Sequence, residues 1–195
     1  MTFSEIIIKP IGVIRSEIKE PVLRSDSKGI TLKEKLKNVR VERDKIRTMT
    51  SEIIIDPSLA ELLDDIDGHS HVLILFWAHE APEESRNLTK VHPMGLKEIP
   101  KKGIFATCSP ARPNPILLTA VKLLERNGNI LKVQGLEAID GSPVIDIKPY
   151  VQAYHGAENP KSPEWMEKYE KNLRRKENKQ GEHYDCISNH GKRRL

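Results

Sequence analysis

The chain has 195 residues, of which 31% are charged and 37% are apolar, and its formal net charge at pH 7 is +4. This length and composition are typical of a globular protein with one sizeable hydrophobic core. They exclude a protein that crosses a bilayer as a helix, because no apolar run approaches the about 20 residues that a spanning helix needs.

The N-terminal part combines short strand-like runs with polar segments. The opening run, IIIKPIGVIRS, predicts a strand over residues 6–16. The start of the chain lacks the pattern of a signal peptide, so we expect a cytoplasmic protein. Gly29 predicts a turn, and SEIIID predicts a strand over residues 51–56. Asp56 and Pro57 are typical of a helix cap and a first helical position, which predicts a helix of about two turns over DPSLAELLDDID.

The middle of the chain predicts a buried strand followed by a loop. HSHVLILFWAH is nearly continuous in apolar residues and predicts a strand over residues 69–79. Residues 81–102 contain three prolines and predict a long loop. GIFAT and ILLTAV then predict two strands, one on each side of a proline-rich segment.

The last part of the predicted core is a series of antiparallel strands. The pair Asn127-Gly128 indicates a hairpin between ILLTAVKLLE and ILKVQGLEAI, and Asp140-Gly141 indicates a turn before PVIDIKPYV. There is no βαβ alternation and no glycine-rich phosphate loop, which argues against a Rossmann-type cofactor site. The sequence therefore predicts a mainly β fold, a small antiparallel β-barrel with short helices and a C-terminal helical tail.

The tail, residues 156–195, is predicted as a helical and partly disordered appendage to a domain over residues 1–155. Ser162 and Pro163 are typical of a helix start. An apolar stripe and three i,i+4 ion pairs predict an amphipathic helix that packs on the barrel or on a second copy of the chain. The stripe consists of Trp165, Met166, Tyr169 and Leu173, and the pairs are Glu164–Lys168, Glu167–Lys171 and Glu170–Arg174. Beyond Asn178 we expect a frayed end.

Basic residues are concentrated in three segments. Residues 31–47 hold seven basic and three acidic residues, residues 86–102 hold one arginine and four lysines, and residues 161–195 hold ten basic and six acidic residues. Local basic excess suits a polyanion such as RNA. An ordinary solvated surface explains so modest a net charge equally well.

Three prolines stiffen the segment CSPARPNP between the two predicted strands. Each proline fixes its own φ and biases the residue before it toward extended geometry. Such a loop would present Arg112, Asn114 and Cys108 at fixed positions, which lowers the entropy cost of holding a ligand. A rigid connection without a binding role is the alternative interpretation.

Histidines and cysteines do not form a metal pattern. His69 and His71 lie about eight to ten residues before His79 along an extended strand, too far to share one ion with it. Cys108 and Cys186 form no CxxC pair, and a disulfide is not expected in a reducing compartment. We therefore expect no metal site.

Polar residues follow two of the predicted strands or turns. His79 and Glu80 place an imidazole and a carboxylate at the end of a buried strand, where sites form on barrels. The turn around Asp140 exposes a carboxylate and a hydroxyl, although a simple turn explains it as well. Asp146 and Lys148 alternate with apolar residues, so one face of the last strand is charged; outward exposure is the less costly arrangement.

Four stretches together resemble one family. PIGVIRS, GHSHVLILFWAHE, GIFATCSPARPNPILL and LEAIDGSPVIDIKPYV resemble, in the same order, the motifs of TsaA-like proteins, the TrmO-type tRNA methyltransferases. The resemblance extends over residues 8–150. It implies a small β-barrel that binds S-adenosylmethionine, a homodimer, and methyl transfer to N6 of threonylcarbamoyladenosine beside the anticodon of a tRNA.

The resemblance also implies site residues by position. The implied cofactor contacts are Arg24, Ser25, Asp26, Ser27, His79, Glu80, Cys108, Leu118, Asp140, Gly141, Ser142 and Pro143. The alignment is weak at LRSDS, where the family has PRQ. Removal of the proton from a carbamoylated N6 needs only a modest base; Asp140, Glu80 and His79 are candidates, and Asp140 is preferred. Arg112, Asn114 and Lys148 are the predicted substrate contacts.

Three positions depart from the family pattern. Cys108 stands where the family has an arginine, Leu117 replaces a glycine and would fill the freed space, and Ala111 replaces a residue that is often His or Phe. Losing an arginine removes a fixed cation and several donors. Two alternatives therefore stay open: a module that binds the nucleotide or cofactor without turnover, and a methyltransferase for a small-molecule acceptor.

Overall fold

A computed structural model describes residues 4–21, 23–32 and 39–169. The strands of this part of the chain are β1 (Gly12–Arg15), β2 (Leu23–Asp26), β3 (Gly29–Leu32), β4 (Thr50–Ile55), β5 (His71–Trp77), β6 (Lys90–Val91), β7 (Lys102–Gly103), β8 (Ile116–Asn127), β9 (Ile130–Gln134) and β10 (Pro143–Pro149). Its helices are α1 (Val39–Thr48) and α2 (Gln152–His155), with short 3-10 helices between the strands. No helix in the described ranges is long and apolar enough to cross a membrane.

Six strands close into a barrel in the order β1-β10-β5-β8-β9-β4. All six pairings are antiparallel, and β1 closes the barrel by pairing with both β4 and β10. The predicted antiparallel barrel is confirmed. The Asn127-Gly128 hairpin is confirmed as well, because Asn127 pairs with Ile130.

Alternate residues of these strands fill the barrel. Phe76 is 2% exposed, and the inward neighbours Ile14, Ile53, Ile74, Val121, Leu131, Val133 and Val144 are buried to the same degree. Burying each such side chain stabilises the fold by about 1.5–3 kcal/mol. Since the interior is packed with side chains, a ligand must bind at the rim or on the outer face.

A second, smaller core lies outside the barrel. The β2–β3 hairpin and the two-stranded β6–β7 ribbon contribute Ile30 and Val91, which pack with Ile104 and Ala111. The hairpin agrees with the turn predicted at Gly29, where Asp26 pairs with Gly29. Ala111 is fully buried here, so the small residue at this position fits the packing.

Several predicted elements are wrong in kind or length. GIFAT is a 3-10 turn rather than a strand, because the backbone N–H and the hydroxyl of Thr107 both donate to the carbonyl of Ile104. The first strand covers only Gly12–Arg15, and β9 ends at Gln134. The turn at Asp140 precedes β10 as predicted, but β10 pairs with β1 and β5 and not with β9.

The helix predicted after Asp56 is present as a 3-10 helix over Pro57–Leu63. Its predicted cap is confirmed, because the Asp56 carboxylate accepts from the backbone N–H of Ser58 at 2.9 Å. Arg126 satisfies carbonyls at the end of this helix, because its guanidinium donates to the carbonyls of Ala60 and Leu63.

Contacts between Cα atoms divide the chain into two units, residues 1–156 and 157–195. In the second unit residues 164–169 are helical, and Lys168 Nζ lies 2.6 Å from Glu164 Oε1, as the i,i+4 pattern predicts. The predictions for Leu173, for the other two ion pairs, for the end beyond Asn178 and for Cys186 concern residues outside the described ranges.

Candidate functional site

The turn that carries Asp140 is fixed to the end of β1. The backbone N–H of Asp140 donates to the carbonyl of Ile18 at 2.7 Å, and that of Gly141 donates to the carbonyl of Ile14 at 2.8 Å. A third bond runs from β1 to the turn: the N–H of Ile14 donates to the carbonyl of Ser142 at 3.0 Å. The turn therefore belongs to the rim of the barrel and is held there by backbone bonds.

The carboxylate of Asp140 has two protein partners. Its Oδ1 accepts from the backbone N–H of Ser16 at 3.0 Å, and its Oδ2 lies 2.8 Å from Lys19 Nζ. The hydrogen bond from Lys19 and then the one from Ser16 lower the pKa of Asp140 below its ordinary value of 3.8. The carboxylate is therefore ionised, already hydrogen-bonded and only weakly basic.

His79 meets the same turn from the end of β5. Its Nδ1 lies 3.2 Å from the hydroxyl of Ser142, and its Nε2 lies 3.6 Å from Glu80 Oε1. Gly141 has a φ of +80°, and a Cβ at this position would lie 3.9 Å from His79 Nε2. The structure thus brings His79 and Glu80 together with the turn at Asp140.

The proline segment is fixed by its own arginine. Arg112 Nε donates to the carbonyl of Ser109 at 2.7 Å, and its Nη2 donates to the carbonyl of Thr107 at 2.6 Å. Pro115 is fully buried, and its carbonyl accepts from the N–H of Ala78 at 2.8 Å. These contacts hold the loop to its own backbone and to the end of β5, and Arg112 uses at least two of its donors in them.

Three other predicted residues of this region are exposed. Cys108 and Asn114 are exposed, and Leu118 is 60% exposed on the outer face of β8. Leu118 pairs with Leu75, whereas Leu117 pairs with the buried Phe76 and packs against the barrel core. The expectation that Leu117 fills space beside Cys108 is therefore wrong.

The hairpin residues Arg24 to Ser27 lie in a separate group. Ser25 Oγ donates to Ser85 Oγ at 3.3 Å, which ties β2 to the 3-10 helix Glu83–Asn87. Asp26 accepts from the backbone N–H groups of Lys28 and Gly29 at 2.7 and 3.0 Å and so stabilises its own turn. The structure connects this group to residues 83–111 and not directly to Asp140.

Asp146 and Lys148 lie on the outer face of β10. They pair with Leu75 and Leu73, and Lys148 Nζ lies 2.7 Å from Asp146 Oδ2. Both side chains are about half exposed, so the outward arrangement is the observed one. Within the described ranges no three His, Cys, Asp or Glu side chains are grouped as a metal site.

Sequence reasoning missed the residues that hold Asp140. Lys19 and Ser16 are far from Asp140 in the chain, and nothing in their local pattern signals a contact. Only the pairing of β1 with β10, which brings the segment after β1 to the turn before β10, places them together.

Comparison with known proteins gives a consistent result. The family model described as the tRNA-methyltransferase O N-terminal domain matches residues 34–155. A probable S-adenosyl-L-methionine-binding protein of Methanothermobacter thermautotrophicus is 41% identical over 152 residues, which are 78% of this chain and 95% of that protein. The mouse tRNA (adenine(37)-N6)-methyltransferase is 42% identical over 94 residues, which are 48% of this chain and 21% of the mouse protein.

Solved structures agree. A crystal structure of TrmO and one of TrmO from Pseudomonas aeruginosa superpose with TM-scores of 0.59 and 0.56, each at 26% identity and over 84% of this chain. The chain spans less than two thirds of these solved proteins, 64% and 63% of their lengths.

Proposed function

Because the chain belongs to the tRNA-methyltransferase O family, we propose that it transfers a methyl group from S-adenosylmethionine to N6 of an adenosine in tRNA. The observation that carries this proposal is the family match over residues 34–155, which include the joined rim of His79, Glu80 and Asp140. The relatives named as S-adenosylmethionine-binding proteins support the same cofactor.

Two exposed groups fit this cofactor. At the rim, Glu80 has a carboxylate that is 56% exposed and could accept hydrogen bonds from hydroxyl groups. On the outer face of β8, Leu118 has an exposed apolar side chain that suits a flat ring. We propose the residues implied by the family resemblance as its contacts, with His79, Glu80 and Ser142 at the centre. When bound, the cofactor supplies an electrophilic methyl group on sulfur.

The finer proposal is the acceptor. The resemblance implies threonylcarbamoyladenosine beside the anticodon, whose carbamoylated N6 carries a more acidic proton than adenine does. His79 and Glu80 are better placed than Asp140 to accept that proton, because the Asp140 carboxylate is already bound to Lys19 and Ser16. Asp140 is then a positioning residue that holds the turn against β1.

The predicted substrate contacts differ in position and in their protein partners. Asn114 is exposed at the end of the rigid loop and could contact the acceptor directly. Arg112 supports that loop from within, so its contribution to substrate binding is mainly to keep Asn114 in place. Lys148 remains a proposed contact, and lysines of the basic segments would take phosphates of the RNA.

The test is nucleoside analysis of tRNA. Mass spectrometry of tRNA from cells with and without the gene should show an N6-methylated carbamoyl nucleoside only when the gene is present. The purified protein with S-adenosylmethionine should restore it in tRNA from the deletion strain. Unchanged nucleosides in both experiments would contradict the proposed function.

A module that binds the cofactor without turnover is the second candidate. Cys108 favours it, because the family pattern has an arginine there and the loss removes a fixed cation. Calorimetry that shows cofactor binding, together with no methyl transfer to tRNA, would support this candidate. Methyl transfer to a small molecule but not to tRNA would support the other alternative, a methyltransferase for a small-molecule acceptor.

The resemblance also implies a homodimer, which we keep as part of the proposal. Sedimentation equilibrium of the purified chain tests the dimer. A monomer at the concentrations of the methylation assay, with full activity, would contradict it.

A further inference from the structure

A cavity of about 700 Å³ opens beside the 3-10 helix Glu83–Asn87. Its walls include Glu83, Arg86, Thr89, Gly103, Phe105 and Pro113. None of these residues belongs to the predicted cofactor or substrate contacts. The cavity is open to solvent on one side and is large enough for one nucleotide base.

Arg86 brings a guanidinium group to the cavity wall. The guanidinium carbon lies 5.6 Å from the ring centroid of Trp77, the last residue of β5, which holds the group in place by a cation–π contact. Its Nε is buried and has no acceptor in the described part of the chain. A ligand in the open cavity would therefore meet the outer nitrogens of the guanidinium, which can donate to an acceptor atom of the ligand.

Phe105 gives the cavity an aromatic face. The side chain is 80% exposed, although its neighbour Ile104 is 5% exposed and anchors the turn in the smaller core. Thr107 closes that turn, and Arg112 in turn binds the carbonyl of Thr107. An exposed aromatic ring on so rigid a support is typical of a stacking platform for a base.

A lysine lies beside the same opening. In the β6–β7 ribbon Lys90 pairs with Gly103 and shares its face, whereas Lys102 pairs with the buried Val91 on the opposite face. Gly103 is itself part of the cavity wall. Positive charge therefore lies beside the aromatic face and the guanidinium, where the phosphates of a nucleotide in the cavity would emerge.

We propose that this cavity binds one unpaired nucleotide of the RNA substrate. The base stacks on Phe105, an acceptor atom of the base takes a hydrogen bond from the guanidinium of Arg86, and an adjacent phosphate contacts Lys90. A free anion would not use the aromatic face, whereas an unpaired base uses all three features. The inference rests on the proposed function, because it names the RNA subsite of that enzyme.

The test compares two variants with two controls. Phe105→Ala removes the platform, and Arg86→Lys keeps the charge but removes Nε–H and the planar fork. Leu62→Ala removes an apolar side chain of similar exposure, 76%, on the 3-10 helix Pro57–Leu63, and Lys122→Arg makes the reverse exchange at an exposed position of β8. Each protein is titrated with a fluorescent anticodon stem-loop RNA and, separately, with S-adenosylmethionine.

We expect Phe105→Ala to weaken RNA binding about tenfold and Arg86→Lys to weaken it by a similar factor. Both controls should bind RNA like the wild type, and cofactor affinity should stay unchanged in all four. Thermal unfolding confirms that the variants are folded, which is expected for Phe105→Ala because the side chain is mostly exposed.

Three outcomes would overturn the proposal. Wild-type RNA affinity in both variants would show that the cavity does not hold RNA. An equal loss of cofactor affinity would assign the cavity to the cofactor, and a changed oligomer with unchanged RNA affinity would assign Phe105 to a contact between copies. If the wild type binds RNA without methylating it, the proposed function is contradicted. The RNA affinity of Phe105→Ala then still tests whether the cavity holds a nucleotide.

Discussion

The carboxylate of Asp140 is held by residues that are far from it in the sequence. Its carboxylate joins the turn before β10 to Ser16 and Lys19 after β1. The sequence indicates Asp140 as a possible base from its position in a turn. The contacts with Lys19 and Ser16 lower the pKa of Asp140 and occupy its carboxylate, which is why His79 with Glu80 is the better choice.

The first prediction concerns Asp140 and pH. The folded-state pKa of Asp140 lies below 3.8, so the group stabilises the fold above that pH, and this contribution is lost as the pH falls through the folded-state pKa. Asp140→Asn should therefore unfold at lower urea than the wild type at pH 7, and the difference should shrink as the pH is lowered below 3.8. Urea unfolding at a series of pH values measures it.

Asp67→Asn, on the exposed turn Ile66–Gly68, is the matched control for that experiment. It should leave the urea midpoint nearly unchanged. A constant difference between the wild type and Asp140→Asn from pH 7 to pH 3 would show that the ionised carboxylate does not stabilise the fold.

The second prediction concerns Cys108. Because Cys108 is exposed and Leu117 faces the core, an arginine side chain has room at position 108 without a further change. If the cofactor binds here, Cys108→Arg should tighten its binding about tenfold through one charge-assisted hydrogen bond. Calorimetry on the wild type, Cys108→Arg and the control Cys108→Ala decides it; equal affinity in all three would place the cofactor away from this residue.

At the scale of elements, the apolar runs predicted the strands well and the connections badly. SEIIID and HSHVLILFWAH each contain a barrel strand, because continuous apolar residues must be buried. GIFAT also contains an apolar run but forms a 3-10 turn, since Thr107 supplies local hydrogen bonds that compete with strand pairing. Helix α1 was not predicted, because its mainly charged sequence lacks an apolar run.

The third prediction concerns the pairing of β1 with β4. A Cβ on Gly12 would clash with the carbonyl oxygen of Ile54 and would lie 2.9 Å from the Cα of Ile55, and neither backbone atom can move alone. Gly12→Ala should therefore destabilise the fold by at least about 2 kcal/mol. Denaturant unfolding measures the change.

Gly68→Ala is the control for Gly12→Ala, because a Cβ at residue 68 meets no atom within 4 Å. It should change the free energy of unfolding by less than about 0.5 kcal/mol. Similar losses in both variants would mean that the close approach of β1 to β4 is not what restricts residue 12.

At the scale of the whole molecule, the fold class was predictable and the strand order was not. Turn signals between strand-like apolar runs predicted antiparallel strands, and the barrel is confirmed. The sequence contains no local signal that β10 lies between β1 and β5, because that order is decided by which apolar faces close the interior together. The same applies to the smaller core, which joins Ile30 to Val91 and Ile104.

The fourth prediction concerns the field around the β6–β7 ribbon. Lys90→Ala should weaken RNA binding and should make the plot of log affinity against log salt less steep by about 0.7, the value for one single-stranded phosphate contact. Titrations at several salt concentrations measure the slope. Lys122→Ala, at an exposed position of β8, should change the slope little; an unchanged slope in Lys90→Ala would contradict a phosphate contact at the ribbon.

Closure of the barrel through β1 has a consequence for the way the protein is made. Val13 pairs with Ile54 on one side and with Pro143 on the other. During synthesis on a ribosome the first strand can therefore gain one neighbour early, but its second neighbour is added only after most of the chain has emerged. Until then the open sheet keeps two unpaired edges and an uncovered apolar face, which is the kind of intermediate that chaperones bind.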